Sequence, residues 1–189
     1  DCDGATACAV ALRGLALLGA ARDTLAYVVP DRARHGYGLT PAIVDLALPQ
    51  APRVLVTVDN GIASHAGVAH ARALGMQVLV TDHHLPGTAL PDADAVIDPQ
   101  RPDDTSGLGD LCGTGIAFKL AQALQAPLGL PANFAWHLLD LVALATIADV
   151  VPLVGENRVL VKHGLRLLPR SRWLGVRALL RSAGVDGDE

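Results

Sequence analysis

The sequence predicts an α/β fold: a parallel sheet with helices on both faces, followed by an all-helical C-terminal part. Three observations carry this. Through the first 110 residues, short runs rich in Val and Leu alternate with segments of helical periodicity, the rhythm of strand–helix–strand units. Those runs are continuously apolar instead of alternating, as in strands covered on both sides. After residue 110 the β pattern stops, and only helical periodicity remains.

Residues 5–18 are apolar at helical spacing, and Gly19 closes that helix. Residues 24–29, β-branched and apolar, form the first expected strand, ended by Pro30. Residues 31–39 contain Gly36-Tyr37-Gly38 and read as a loop. Thr40 is the N-cap of the next helix, with Pro41 at its first position. A strand over 54–58 is followed by a helix over 64–74, closed by Gly75. Strands at 78–81 and 95–97 complete the sheet, the latter just before Asp98-Pro99. Residues 99–109 are a polar loop rich in Pro, Gly and Asp. Helices are expected over 111–125, 133–148, 156–168 and 172–183. There is no internal repeat and no low-complexity segment.

A length of 189 residues suits one domain with a sizeable core. The chain is 51% hydrophobic and 18% charged, which excludes disorder. Aromatic residues are only 3%, so Ala, Val, Leu and Ile must build the core. A net charge of −4 counts mildly against a nucleic-acid binder, since metal sites gather acids that ions neutralise. Cys2, Cys8 and Cys112 are odd in number and unpaired in spacing, so they read as small core residues in a reducing, cytoplasmic setting. No signal-peptide pattern opens the chain, and the longest apolar stretch, 138–154, is broken by Asp140 and Asp149. No membrane span is expected.

The most informative motif is Asp82-His83-His84, at the end of the apolar run 76–81. Adjacent histidines at a strand end, preceded by an acid, rarely serve packing. A neutral imidazole ligates metal, an imidazolium holds a phosphate oxygen, and Asp82 can orient one ring through its second nitrogen. Asp59 ends the 54–58 strand, where open α/β sheets bind ligands, although Asp59-Asn60-Gly61 also reads as a plain turn. Asp1 and Asp3, two residues apart, can face one cation. Alternatively, Asp3 caps the first helix and Asp1 is solvated. Asp149 interrupts an apolar helical stretch, and such a carboxylate needs a cation or donors. Hard oxygen ligands with imidazole suit Mn²⁺ or Mg²⁺. Gly113-Thr114-Gly115 opens a helix, where backbone N–H groups can meet an anion or glycines can serve close packing. The basic residues Arg158, Lys162, Arg166, Arg170, Arg172, Arg177 and Arg181 read as a solvated helix face, with a nucleic-acid flank as the other reading.

Taken together, Asp1-Cys2-Asp3-Gly4-Ala5-Thr6, Thr57-Val58-Asp59-Asn60-Gly61-Ile62, Val80-Thr81-Asp82-His83-His84 and Ala148-Asp149-Val150-Val151-Pro152-Leu153 resemble the four ordered motifs of the DHH phosphoesterases. Pro30-Asp31-Arg32, Gly36-Tyr37-Gly38-Leu39 and Gly113-Thr114-Gly115-Ile116-Ala117-Phe118 resemble the RecJ branch of that family, single-strand-specific 5′→3′ DNA exonucleases of repair and recombination. The resemblance covers nearly the whole chain. It implies two divalent ions, usually Mn²⁺, and a two-metal hydrolysis. One ion would be held by Asp1, Asp59, His83 and Asp149, with Asp59 bridging to the other. His84 would contact the scissile phosphate, Asp3 and Asp82 would support the site, and Arg32 with the 113–115 turn would contact phosphate. Single-stranded DNA is the implied partner, with a helicase or single-strand-binding protein beside it.

The resemblance also implies a strand, a His and a further Asp before Asp1, and a DHH-associated domain after residue 189. The chain therefore reads as most of a DHH catalytic domain, an α/β part over 1–110 and a helical part over 111–189. It is expected to bind one ion well and to catalyse poorly. The alternatives within reach of these motifs are a DHH enzyme acting on oligoribonucleotides, phosphoadenosine phosphate or cyclic dinucleotides, a family-II-like pyrophosphatase, and a non-catalytic DNA-binding scaffold.

Overall fold

The structure, a computed structural model, describes residues 1–185. Strands β1 (Val54–Val58), β2 (Gln77–Thr81) and β3 (Ala95–Ile97) form a parallel sheet in that order. Leu55 pairs with Val78, Thr57 with Val80, and Thr81 with Ile97. Paired residues of parallel strands point to one face, so Leu55, Thr57, Val78 and Val80 lie together. Helices α3 (Pro41–Ala47) and α4 (His65–Ala73) cover that face, closing a core of Ile43, Val44, Val68, Ala71, Val78 and Val80. On the other face Thr81 is buried, while Val54 and Val56 at the opposite end stay 53% and 39% exposed. Coverage is thus concentrated at the carboxyl ends of the strands, where the functional motifs sit.

The second core joins α1 (Cys2–Leu17), α5 (Gly113–Gln125), α6 (Leu139–Ala148), α7 (Gly155–Leu167) and α8 (Leu174–Ser182). Helix α6 is apolar all round, as a helix surrounded by others must be. It packs against α1, α5 and α7, and Val142, Ala143 and Ala145 have no exposed surface. Helices α1 and α5 also meet β1, which ties this core to the sheet.

Four elements differ from the sequence reading. Residues 24–29 form no strand: Thr24 ends a 3₁₀ turn, Arg22–Thr24, and Tyr27 and Val29 are exposed. The β-branched composition is there, but a strand needs a neighbour's ladder, and β1 pairs only with β2 among the described residues. Inside the expected loop, Arg32–His35 forms a one-turn helix, α2, capped by the Asp31 carboxylate, which accepts the Ala33 N–H at 2.9 Å. The expected helix over 133–148 is broken: Phe134–Leu138 is a 3₁₀ turn, and the α-helix begins at Leu139. The tighter turn stacks i and i+3, which buries Ala135 and Leu138 together. Finally, α1 begins at Cys2, not Ala5, with Asp1 as its N-cap.

Candidate metal centre

The carboxyl ends of β1 and β2, the start of α1 and the end of α6 converge. At the centre is His83, whose Nε2 lies 3.1 Å from Asp59 Oδ1, 3.7 Å from Asp3 Oδ2 and 3.9 Å from Asp149 Oδ2. Two groupings bring ligand atoms within 4.8 Å of one another: Asp59, His83 and His84, and Asp3, His83 and Asp149. Residues distant in sequence meet here because each ends an element at one edge of the fold.

Two backbone outliers accompany the acids. Asp59 itself has φ +59, and Val150, next to Asp149, also has φ +59. A β-branched residue rarely adopts that conformation, and such strain collects at functional sites. The bend at Val150 ends α6 so that Asp149 becomes its C-cap. A carboxylate there faces the negative end of the helix dipole, a local cost that packing does not require.

Asp3 is buried and spends both oxygens on α5. Oδ2 accepts the Gly113 N–H at 2.6 Å and Oδ1 the Thr114 N–H at 2.9 Å, while the Thr114 hydroxyl donates to the Asp3 carbonyl. This corrects one expectation. The N–H groups of Gly113 and Thr114, assigned from sequence to a substrate phosphate, are taken by the chain's own carboxylate, and residues 113–115 are buried. A helix N-terminus attracts whichever anion is nearest, and Asp3 is already there. Glycine at 113 is required by closeness: a Cβ would come within 2.7 Å of Asp59 Cβ and 2.9 Å of its Cα.

Asp1 is exposed, and its Oδ1 accepts the Gly4 N–H at 2.9 Å. It stands at the rim, outside both groupings around His83. It nevertheless faces the same place. Asp1 Oδ1 and Asp59 Oδ2 lie 3.3 and 3.2 Å from the point a Cβ on Gly4 would occupy. Asp59 therefore turns Oδ1 to His83, while its Oδ2 lies against Gly4 at the start of α1.

His84 lies beside this cluster. Asp82, buried, accepts the Ile62 N–H on Oδ2 at 2.8 Å, and on Oδ1 accepts the His83 N–H at 2.8 Å and binds His84 Nδ1 at 2.7 Å. One carboxylate thus shapes the turn and orients the ring. His84 Nε2 faces the Tyr37 hydroxyl at 3.3 Å, and Arg32 lies over the Tyr37 ring, 4.7 Å from its centroid. Arg32 reaches His84 through Tyr37.

Electrostatics reflect crowding. Burial pushes the Asp59 carboxyl up, and the Asp3 charge adds to it, while the His83 hydrogen bond pulls it down. Asp149 is raised by burial and by Asp3. For His83, burial lowers the pKa, but Asp59, Asp3 and Asp149 outweigh it and the net shift is upward. Sequence reading gave no site role to Asp98 or to Tyr37, although Tyr37 lies in one of the motifs that carry the resemblance. Asp98 follows β3, next in line to Asp82, and is buried with its pKa pushed up to about 6, chiefly by desolvation. Its place at a strand end was the available signal. For Tyr37 the available signal was the motif Gly36-Tyr37-Gly38-Leu39 itself.

Residues 1–146 match the DHH family, N-terminal domain. Over 98% of its length the chain is 47% identical to the single-stranded-DNA-specific exonuclease RecJ of Salmonella typhimurium, and it covers 34% of that relative. The chain thus spans about a third of the curated relative it matches. The crystal structure of exonuclease RecJ bound to manganese is similar at a TM-score of 0.86 and 41% identity, covering 100% of this chain and 46% of that one. RecJ in complex with Mn²⁺ from Thermus thermophilus gives 0.80 and 39%, covering 99% of this chain and 26% of that one.

Proposed function

This chain belongs to the DHH family, and on that premise we propose that it forms the catalytic part of a metal-dependent phosphodiesterase that degrades single-stranded DNA from the 5′ end. The observation that supports this most is the convergence of Asp3, Asp59 and Asp149 on His83 Nε2, with His84 oriented beside them by Asp82. The donor set fits a hard divalent cation such as Mn²⁺ or Mg²⁺: carboxylate oxygens with an imidazole, and no thiolate. Excess negative charge in a half-buried space also calls for a cation.

Asp59, His83, Asp149 and Asp1 are the proposed ligands. With Oδ1 on His83 and Oδ2 beside Gly4, Asp59 suits a carboxylate shared by two ions. Asp3 acts as a clamp that holds the start of α5 against α1 and adds to the negative field. A bound divalent ion supplies Lewis-acid charge to a phosphate and lowers the pKa of water. The chain's own contribution is placement. Asp82 fixes the His84 ring beside the acids, with Nε2 turned to the Tyr37 hydroxyl, where a phosphate oxygen would sit. Arg32 adds positive charge on the same side. Roles in repair and recombination, and helicase or single-strand-binding partners, belong to the same proposal.

The deciding assay offers the Mn²⁺-loaded protein 5′-phosphorylated single-stranded DNA, blunt duplex, dinucleotides and pyrophosphate. The single strand is expected to be shortened and the duplex left intact. Preference for dinucleotides or pyrophosphate would overturn the exonuclease reading. His84→Ala is expected to leave Mn²⁺ affinity near that of the parent and to lower kcat about 10²–10³-fold, as loss of one oriented transition-state donor does. Calorimetric Mn²⁺ titration beside a rate measurement separates the two effects.

A further inference from the structure

We propose that the Tyr37 hydroxyl is a second donor to the phosphate oxygen that His84 faces, which makes Tyr37 a catalytic residue of this site. The inference rests on the phosphodiesterase reading above and names a residue that reading does not use.

Tyr37 sits between Gly36 and Gly38, both at positive φ, in a loop 47 positions from His84. No core claims its ring, which is 56% exposed. It is nonetheless held in place. The Arg32 guanidinium lies over the ring, and the edge of the ring meets the His84 imidazole with centroids 6.1 Å apart and planes at 83°. Helix α2 positions Arg32, and the two glycines allow the sharp return of the loop.

The proton inventory assigns the role. Asp82 Oδ1, 2.7 Å from His84 Nδ1, is an acceptor, so Nδ1 carries the proton. Beside Nε2 stands the Tyr37 hydroxyl, 3.3 Å away, a second group with an O–H to donate. A separation of 3.3 Å is long for a hydrogen bond to nitrogen. Such a bond is readily exchanged for one to an anionic oxygen, which is roughly twice as strong. The exchange needs only rotation of the hydroxyl about its C–O bond, with the ring fixed under Arg32. Tyr37 thus holds the Nε2 position while the site is empty of substrate and donates to the phosphate when it arrives.

Tyr37→Phe removes the donor and keeps the ring and the Arg32 contact. Two measurements use the Mn²⁺-loaded protein: steady-state degradation of a 5′-phosphorylated single strand, and calorimetric titration with 5′-dTMP. The variant is expected to lose about tenfold in kcat, with KM and the dTMP Kd raised about threefold, the scale of one lost hydrogen bond to a charged group. Mn²⁺ affinity and Tm should match the parent. Parental kcat and dTMP affinity in the variant would overturn the inference. So would a fall in Tm together with Mn²⁺ affinity, which would make the hydroxyl a structural prop. A parent that binds dTMP through Tyr37 yet leaves the single strand intact would overturn the exonuclease reading and leave Tyr37 as a phosphate donor.

Discussion

Asp59→Asn is expected to abolish metal-dependent hydrolysis while leaving the metal-free protein as stable as the parent. Loss below about 10⁻³ of the parental rate is the minimum, because removal of one oriented group already costs that much, and Asp59 is proposed to serve two ions. Asn preserves what the backbone demands. Residue 59 has φ +59, a conformation that Asn adopts as readily as Asp. The substitution is isosteric, so the close approach of Gly113 is undisturbed. It also removes a charge that burial and Asp3 both disfavour. Urea unfolding of both metal-free proteins should agree within about 0.5 kcal/mol. A much larger loss would identify Asp59 as a turn residue and end the metal reading. Asp59→Ala is the weaker experiment, since Ala at positive φ costs about 1–2 kcal/mol by itself.

Asp82→Asn should damage both fold and rate. Both Asp82 oxygens accept backbone N–H groups, Oδ2 from Ile62 and Oδ1 from His83, and Oδ1 also binds His84 Nδ1. Asn has one acceptor oxygen. Either amide orientation sets an NH₂ against a backbone N–H in a buried place, and a stranded buried donor costs about 1–3 kcal/mol. If the NH₂ faces the histidines, Nδ1 can no longer donate and the tautomer reverses. Where a carboxylate orients a catalytic imidazole, that change costs about 10⁴ in rate. Melting and single-turnover rates together test this. A variant with parental stability and parental rate would show that the Asp82 contacts are incidental.

How much of this was legible beforehand varies residue by residue. Val54–Val58 and Gln77–Thr81 announce themselves because covered parallel strands are continuously apolar, and Asp59 and Asp82 stand out because each breaks such a run at its end. Asp149 stood out for the same reason in α6. Residues 24–29 misled because β-branched composition reports local preference, whereas a strand exists only where a neighbour supplies a ladder.

The order of the motifs, the α/β class, the family and the identity of the acids and histidines are properties of the sequence by itself, since they rest on residue type and spacing. What tertiary structure decided is which partner each of them meets. Nothing local says that Asp3 turns to the N–H groups of residues 110 and 111 positions away, or that this closes the 113–115 turn to phosphate. Nothing local says that Tyr37 reaches His84. A carboxylate takes the nearest donors and a ring the nearest support, and across such separations nearness is set by how α1, α5 and the sheet pack, not by the chain's own order.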